Sequence, residues 1–263
     1  MQKIKNISVI GSGNVATHLV KNLYKSGIVI DYIFSKNIEN AKILSNEVNA
    51  IPIDKLKNIK CNSDFYLFAV SDSVIEHLAE ELNIYCGSNL QVAHTSGMVA
   101  SMIFEKYFDN FGVFYPLQTF TKERKINIED VPFFITANNT TFEKNLIKTA
   151  KILSKKTNTI SDNNRKVLHV AAVFANNFTN YLYGISKDIL DKENLDFEIL
   201  FPLIKETAGK ILDSYDPVSI QTGPAIRHDS NTIKQHLKFL DKHPGYKDVY
   251  RFLTEKIIES IVK

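Results

Sequence analysis

Cysteine occurs only twice in the 263 residues, as Cys61 and Cys86, and neither belongs to a C-x-x-C pair. Two are too few for a disulfide framework or a thiolate zinc site, so no metal is expected and a reducing cytoplasm is the natural setting. Long apolar runs are missing too: none approaches the roughly 18 residues needed to span a bilayer. No apolar segment precedes a cleavage site either, because a glycine turn interrupts the first one, so no export signal or membrane association is expected. Charge of one sign is scarce. The excess is only +3, with lysines scattered among asparagine and isoleucine and no basic block, which leaves nucleic-acid binding unsupported. There is no internal repeat and no low-complexity stretch. What remains, 44% hydrophobic and 23% charged, is the composition of a globular chain of one or two domains with a real core.

The most informative segment is Ile7-Ser8-Val9-Ile10-Gly11-Ser12-Gly13-Asn14-Val15-Ala16. The apolar run from Ile4 to Ile10 predicts a buried strand, and Gly11 lets the chain turn sharply at its end. Gly13 leaves room for a pyrophosphate to approach the main chain, and Ala16, in the place of a third glycine, keeps the following helix close to the sheet. The free N–H groups and the dipole of that helix attract phosphate charge. Gly11, Ser12, Gly13, Asn14 and Val15 are therefore the expected pyrophosphate cradle of a dinucleotide site.

A site that prefers NAD places an acid at the end of the second strand, about 20 residues further on, to hold the adenosine ribose. Here the second strand, Ile28 to Phe34, ends in Ser35-Lys36-Asn37; Asp31 lies within the strand rather than at its end. A hydroxyl and an ammonium suit a 2′-phosphate, so NADP is expected over NAD, with Ser35 and Lys36 reading the phosphate. The alternative is that Ser35 and Asn37 only cap the next helix.

Strand and helix patterns alternate over residues 1–160, predicting a parallel sheet covered on both faces, an α/β Rossmann-type domain. Its further strands are expected at Ala50–Ile53, Asp64–Val70, Leu90–His94, Phe111–Tyr115, Phe133–Ala137 and Thr157–Ile160. Ser71-Asp72-Ser73 are expected to cap the helix Val74–Leu82, and Ala69, Val70 and Ser71 to border the ribose. Residues 161–263 read as helices alone: one long apolar helix, Asn164–Leu190, then Phe197–Leu212, Asp229–Leu240 and Tyr246–Val262. This second, all-helical domain is expected to complete a substrate cleft and to meet a second subunit.

Four polar groups are candidates for chemistry. His94-Thr95-Ser96-Gly97 follows a buried strand, where the nicotinamide end of a cofactor would lie, and His94 can exchange a proton near neutrality while Ser96 binds a substrate oxygen. The bland reading is an inward His94 bonded to backbone and a Ser96 that caps a turn. Tyr115-Pro116-Leu117-Gln118 ends the next strand and offers polar tips at the same edge, or simply packs. On the long helix His169, Asn176 and Asn180 share one face, so Asn176 can hold a carbonyl or imine while His169 supplies the proton; the alternative is a structural role or a subunit contact. Gln221 to Asp229 offers Arg227 to an anion, unless Arg227 is structural and Asp229 caps a helix.

Taken together, Gly11-Ser12-Gly13-Asn14-Val15-Ala16-Thr17-His18-Leu19, Ala69-Val70-Ser71-Asp72, His94-Thr95-Ser96-Gly97, Phe114 to Phe120 and Gln221-Thr222-Gly223-Pro224 resemble the Rossmann-like proteins with the C-terminal domain of unknown function 2520. His169 to Phe178 is similar to the long helix of that family. The resemblance implies kinship with pyrroline-5-carboxylate reductase and the 6-phosphogluconate and 3-hydroxyacid dehydrogenases, hence an NAD(P)-binding domain joined to a helical domain that often dimerises. The dehydrogenases of that group carry a lysine followed four residues later by asparagine, whereas here His169 is followed at that spacing by Val173, so their catalytic assignment does not transfer. The resulting expectation is an NADP-dependent oxidoreductase acting on a small polar substrate, with a non-catalytic NADP(H) sensor or scaffold as the rival and a deazaflavin as a lesser cofactor alternative.

Overall fold

A computed structural model of the protein describes residues 4–214 and 216–261. Its first part is an eight-stranded sheet built from β1 (Asn6–Ile10), β2 (Val29–Phe34), β3 (Ile51–Ile53), β4 (Phe65–Phe68), β5 (Gln91–His94), β6 (Asn110–Pro116), β7 (Phe133–Ala137) and β8 (Thr157–Thr159). The spatial order is β3-β2-β1-β4-β5-β6-β7-β8, so the chain switches direction across the sheet between β1 and β4. Helices α1 (Asn14–Lys25), α2 (Ile38–Asn46), α3 (Ile75–Cys86) and α4 (Thr140–Leu153) make the connections.

Strict alternation along the strands builds two cores. Ile7, Val9, Phe65 and Leu67 enter one, with Leu19, Leu23, Phe142 and Leu146 of α1 and α4. Ile10, Tyr66 and Phe68 enter the other, with Ile75, Leu78 and Leu82 of α3. Both faces are thus sealed, which is why these strands read as unbroken apolar runs. The parallel expectation fails at one place, because β7 runs antiparallel to β6. No α-helix separates them; Leu117 N–H donates to the Pro132 carbonyl at 2.9 Å, so the ends of the connection meet as in a hairpin. Helix α4 then carries the chain across to β8, parallel to β7.

Beyond the sheet the helices are α5 (Asp162–Ala172), α6 (Thr179–Lys192), α7 (Phe201–Ser214), α8 (Ser230–Phe239) and α9 (Pro244–Ile261). The long helix is not uniformly α: Val173–Phe178 forms a π-helical turn between α5 and α6. Val262, the expected end of the last helix, lies outside the described residues. Two compact units result, the first ending at Asn177 and the second beginning at Phe178. The division falls later than 160/161 because Arg165 and His169 of α5 bond to the sheet and its loops. No helix among the described residues is long and apolar enough to cross a membrane.

The two cysteines depart from expectation. Cys61, before β4, and Cys86, the last residue of α3, form a disulfide with Cα atoms 5.4 Å apart. They lie 25 residues apart in sequence, and only the return of α3 alongside β4 brings them within bridging distance.

Candidate functional site

The glycine turn is shaped by the sheet beneath it. Gly11 takes φ +126°, and a Cβ there would lie 2.2 Å from the Ala69 carbonyl oxygen at the end of β4, so no side chain fits. Gly13 caps α1 without a side-chain hydrogen bond, and the first turn of α1 contains no acid. The N–H groups at that end are therefore left for an anion. Ala16 is fully buried, as close packing of α1 on the sheet requires.

In front of this turn lies a cavity of about 510 Å³. Gly11, Ser12, Gly13, Asn14, Val15, Ser35, Lys36, Ala69, Val70 and Ser71 all line it, together with Phe34, Val74, Leu78 and Thr95. Ser12 Oγ donates to Ser35 Oγ at 3.0 Å, tying the glycine turn to the end of β2. Asn37 is used otherwise: its side chain accepts from Glu39 N–H and caps α2. Asp31 is also committed elsewhere, accepting from Asn6 Nδ2 and Ser63 Oγ. Ser71-Asp72-Ser73 do not cap α3 through their side chains; the chain forms a 3-10 turn, Asp72–Val74, before that helix starts. Val74 and Leu78, one helical turn apart, supply an apolar wall that sequence reasoning did not assign to the site.

A second cavity, about 640 Å³, lies between the end of β6 and α5. His169 and Asn176 line it with Tyr115, Leu117, Gln118 and Asn177. Tyr115 Oη lies 3.1 Å from His169 Nδ1. Burial pushes the Tyr115 phenol up, against a smaller lowering by the Arg165 charge, so it stays protonated and shares a hydrogen bond with Nδ1. The bond fixes the orientation of the His169 ring, and no protein group among the described residues bonds to Nε2. Gly97 makes the arrangement possible, because a Cβ there would lie 2.3 Å from His169 Nδ1.

The other two candidates for chemistry sit inside the fold. His94 has no exposure, and its Nδ1 accepts from Ser96 N–H at 3.2 Å while Nε2 faces the Ala100 carbonyl at 3.4 Å. Burial, and secondarily the Arg165 charge, lower its pKa from 6.5 to about 4, so it is neutral and internally bonded near pH 7. Ser96 is buried as well, its Oγ accepting from Met98 and Val99 N–H. Both shape the loop after β5 and line neither cavity. Asn180 falls in the second unit, as does the Gln221 to Asp229 loop, where Asp229 accepts from Thr232 N–H and caps α8.

Sequence reasoning missed the residue that holds this loop. Arg165 is fully buried and bonds to Asp162 Oδ1 at 2.6 Å, Thr136 Oγ1 at 3.2 Å and the Val99 carbonyl. Asp162 Oδ2 in turn accepts from Ser101 N–H and Oγ, each at 2.9 Å. Burial raises the Asp162 pKa, but the hydrogen bonds from Arg165 and Ser101 outweigh it and leave the carboxyl below its ordinary value. The first turn of α5 is thereby stapled to Val99 and Ser101, which sets Gly97 against His169. An Asp-x-x-Arg pair at a helix start was the available signal, though it looks like any surface ion pair.

Residues 6–90 match the family described as NADP oxidoreductase, coenzyme F420-dependent, and residues 131–257 match the domain of unknown function DUF2520. A solved Bacteroides fragilis structure, "putative NADP oxidoreductase BF3122", is 36% identical over 97% of this chain and 98% of its own, with a TM-score of 0.93. An imine reductase from Myxococcus stipitatus in complex with NADP+ shares the fold at 13% identity, covering 97% and 94% of the two chains with a TM-score of 0.68. Among curated proteins, "Putative precorrin-2 dehydrogenase" of Methanocaldococcus jannaschii is 30% identical over 99 residues, 32% of this chain and 48% of the relative, so the match spans about half of that protein. A turn that bars every side chain at Gly11, a complete set of cavity-lining residues, and near full-length likeness to a solved relative lead to one conclusion: the chain belongs to the NADP-oxidoreductase-like Rossmann proteins that carry the C-terminal domain DUF2520.

Proposed function

We propose that the protein binds NADP(H) in the cavity before α1 and reduces, or in reverse forms, a carbonyl or imine group of a small polar compound in the cavity beside His169. The observation that carries this reading is the short path between the cavities. Thr95 lines the first, and Gly97, two residues on, touches the His169 ring that lines the second. Two residues span at most about 7 Å. A ligand crossing from one cavity to the other stays within reach of His169.

Bound nicotinamide supplies the hydride. Protonated His169, its Nδ1–H donating to the Tyr115 oxygen, gives its Nε2 proton to the oxygen or nitrogen of the group being reduced and regains one from solvent, and the Asn176 amide orients the substrate. His94, buried and neutral, takes no part. Ser35 and Lys36 hold the 2′-phosphate, which favours NADP over NAD and over a deazaflavin.

Titration calorimetry of the wild type and of S35A/K36A with NADPH and NADH tests the cofactor assignment. Loss of charge-assisted bonds predicts NADPH binding weaker by about 10- to 100-fold in the variant, with NADH binding changed little. Equal losses for both would refute the phosphate assignment. Thermal-shift screening of keto, imino and carboxylate compounds on the NADPH-loaded protein then seeks a ligand that stabilises only that form and whose effect is lost in H169Q. NADPH binding without any such ligand would favour a sensor, and no dinucleotide binding would overturn the reading.

We infer in addition that the working form is a homodimer. Among the described residues from Phe178 onward, Ala225 and Leu240 alone are buried hydrophobics, while Leu195, Ile199, Leu203 and Leu212 are each at least half exposed. A unit with so little interior needs a cover, and a second copy is the partner always at hand. Light scattering at micromolar concentration should give twice the chain mass; a monomer would refute this.

A further inference from the structure

The chain carries an excess of only three positive charges, yet one cleft gathers five cations against two carboxylates. It lies behind α1, away from the glycine turn, with a volume of about 590 Å³. Lys21 and Lys25 of α1 form one wall, and Lys122, Arg124 and Lys125, on the loop after β6, form the other. Glu47 is engaged by Lys21 at 2.6 Å. Lys25, Lys122, Arg124 and Lys125 have no ion-pair partner among the described residues. Four unpaired cations around one concavity repel one another, and an anion seated among them removes that repulsion.

The cationic loop is anchored rather than loose. His18 of α1 is 8% exposed, packs on the Phe120 ring at 5.0 Å, and places Nε2 2.9 Å from the Thr121 carbonyl. A carbonyl only accepts, so Nε2 carries the hydrogen. The same oxygen accepts from Arg124 N–H at 3.1 Å, closing the turn that presents Lys122 and Arg124. One segment thus serves two cavities: Leu117 to Phe120 line the His169 cavity, and Lys122 to Ile126 line the cleft.

We propose that this cleft is a second ligand site, for a small oligoanion bearing two or more phosphate or carboxylate groups, distinct from the cofactor cavity. Its volume suits such a molecule, and Thr17 and Asn22 add neutral hydrogen-bonding groups to the walls. The nearest competing source of the same chemistry is the phosphate of the cofactor itself. A smaller hollow of about 170 Å³, lined by Ser12, Lys21 and Lys122, lies between the two sites.

The test uses inorganic tripolyphosphate as the probe, titrated calorimetrically at fixed ionic strength into the full chain with and without saturating NADPH. The variant is K25A/R124A, since both residues are exposed and neither lines the cofactor cavity. The expected result is binding to both forms, weaker in the variant by about tenfold, or roughly 1.4 kcal/mol, with NADPH affinity unchanged. Absence of binding, displacement by NADPH, or equal affinity in the variant would each overturn the proposal, the last two by placing the anion in the cofactor cavity or elsewhere.

Discussion

Replacing Gly97 by alanine tests whether the loop after β5 positions His169. The new Cβ would lie 2.3 Å from Nδ1, 2.6 Å from Cγ and 3.0 Å from Cβ of His169. Ordinary contacts between such atoms fall at about 3.5 Å or more, so the ring must shift by about 1 Å. Its hydrogen bond with Tyr115, now 3.1 Å, cannot survive a shift of that size away from the phenol. The lost bond costs about 1 kcal/mol and the crowding about 1 kcal/mol more, which together lower the melting temperature by about 4–8 °C. Thr95, the part of this loop that lines the cavity in front of the glycine turn, is untouched. NADPH binding by calorimetry should therefore stay within about twofold, while turnover of any substrate found by screening falls by about 100-fold, the cost of misplacing a proton donor by that distance. A variant that melts with the wild type and turns over normally would refute the packing argument. One that loses NADPH binding as fully as turnover would refute the separation of the two cavities.

Two further outcomes are expected. The pKa of His94 is held at about 4 in the fold, against 6.5 when free, so its contribution to stability is complete above pH 6.5 and is lost as pH falls toward 4. Urea unfolding should show about 2 kcal/mol lost between pH 7.5 and pH 5 that is absent in H94Q; equal losses in both proteins would contradict the buried neutral ring. The Cys61–Cys86 bridge closes a loop of 25 residues, so reduction, or C61S/C86S, should cost about 3 kcal/mol in thermal unfolding, and identical melts with and without reductant would show the bond to be absent in solution.

The cavity in front of the glycine turn was legible because its constraints are local. A glycine that must turn, a small residue that must pack and a missing acid at the end of β2 are each properties of one position, and all ten residues so identified line one cavity. The cavity beside His169 was not. His94 and His169 look alike in sequence, each at the edge of an apolar run, and what separates them is depth: Phe104 and the Ala100 carbonyl enclose the first, whereas the second borders a cavity. Arg165 was easy to overlook because, apart from Asp162, its partners come from β7 and the loop after β5, 29 and 66 residues away. The reversal of β7 depends on Leu117 meeting Pro132, and the disulfide on α3 returning beside β4; neither encounter is written in the neighbourhood of those residues.

Ala69, Val70, Ser71, Val74 and Leu78, the far wall of the cavity in front of the glycine turn, all lie between Cys61 and Cys86. That wall is a covalent ring rather than an open stretch of chain. While the ring is closed, the wall cannot peel away from the glycine turn as an independent segment, and the electron balance of its surroundings decides whether that cavity is bounded by a hoop or a strip.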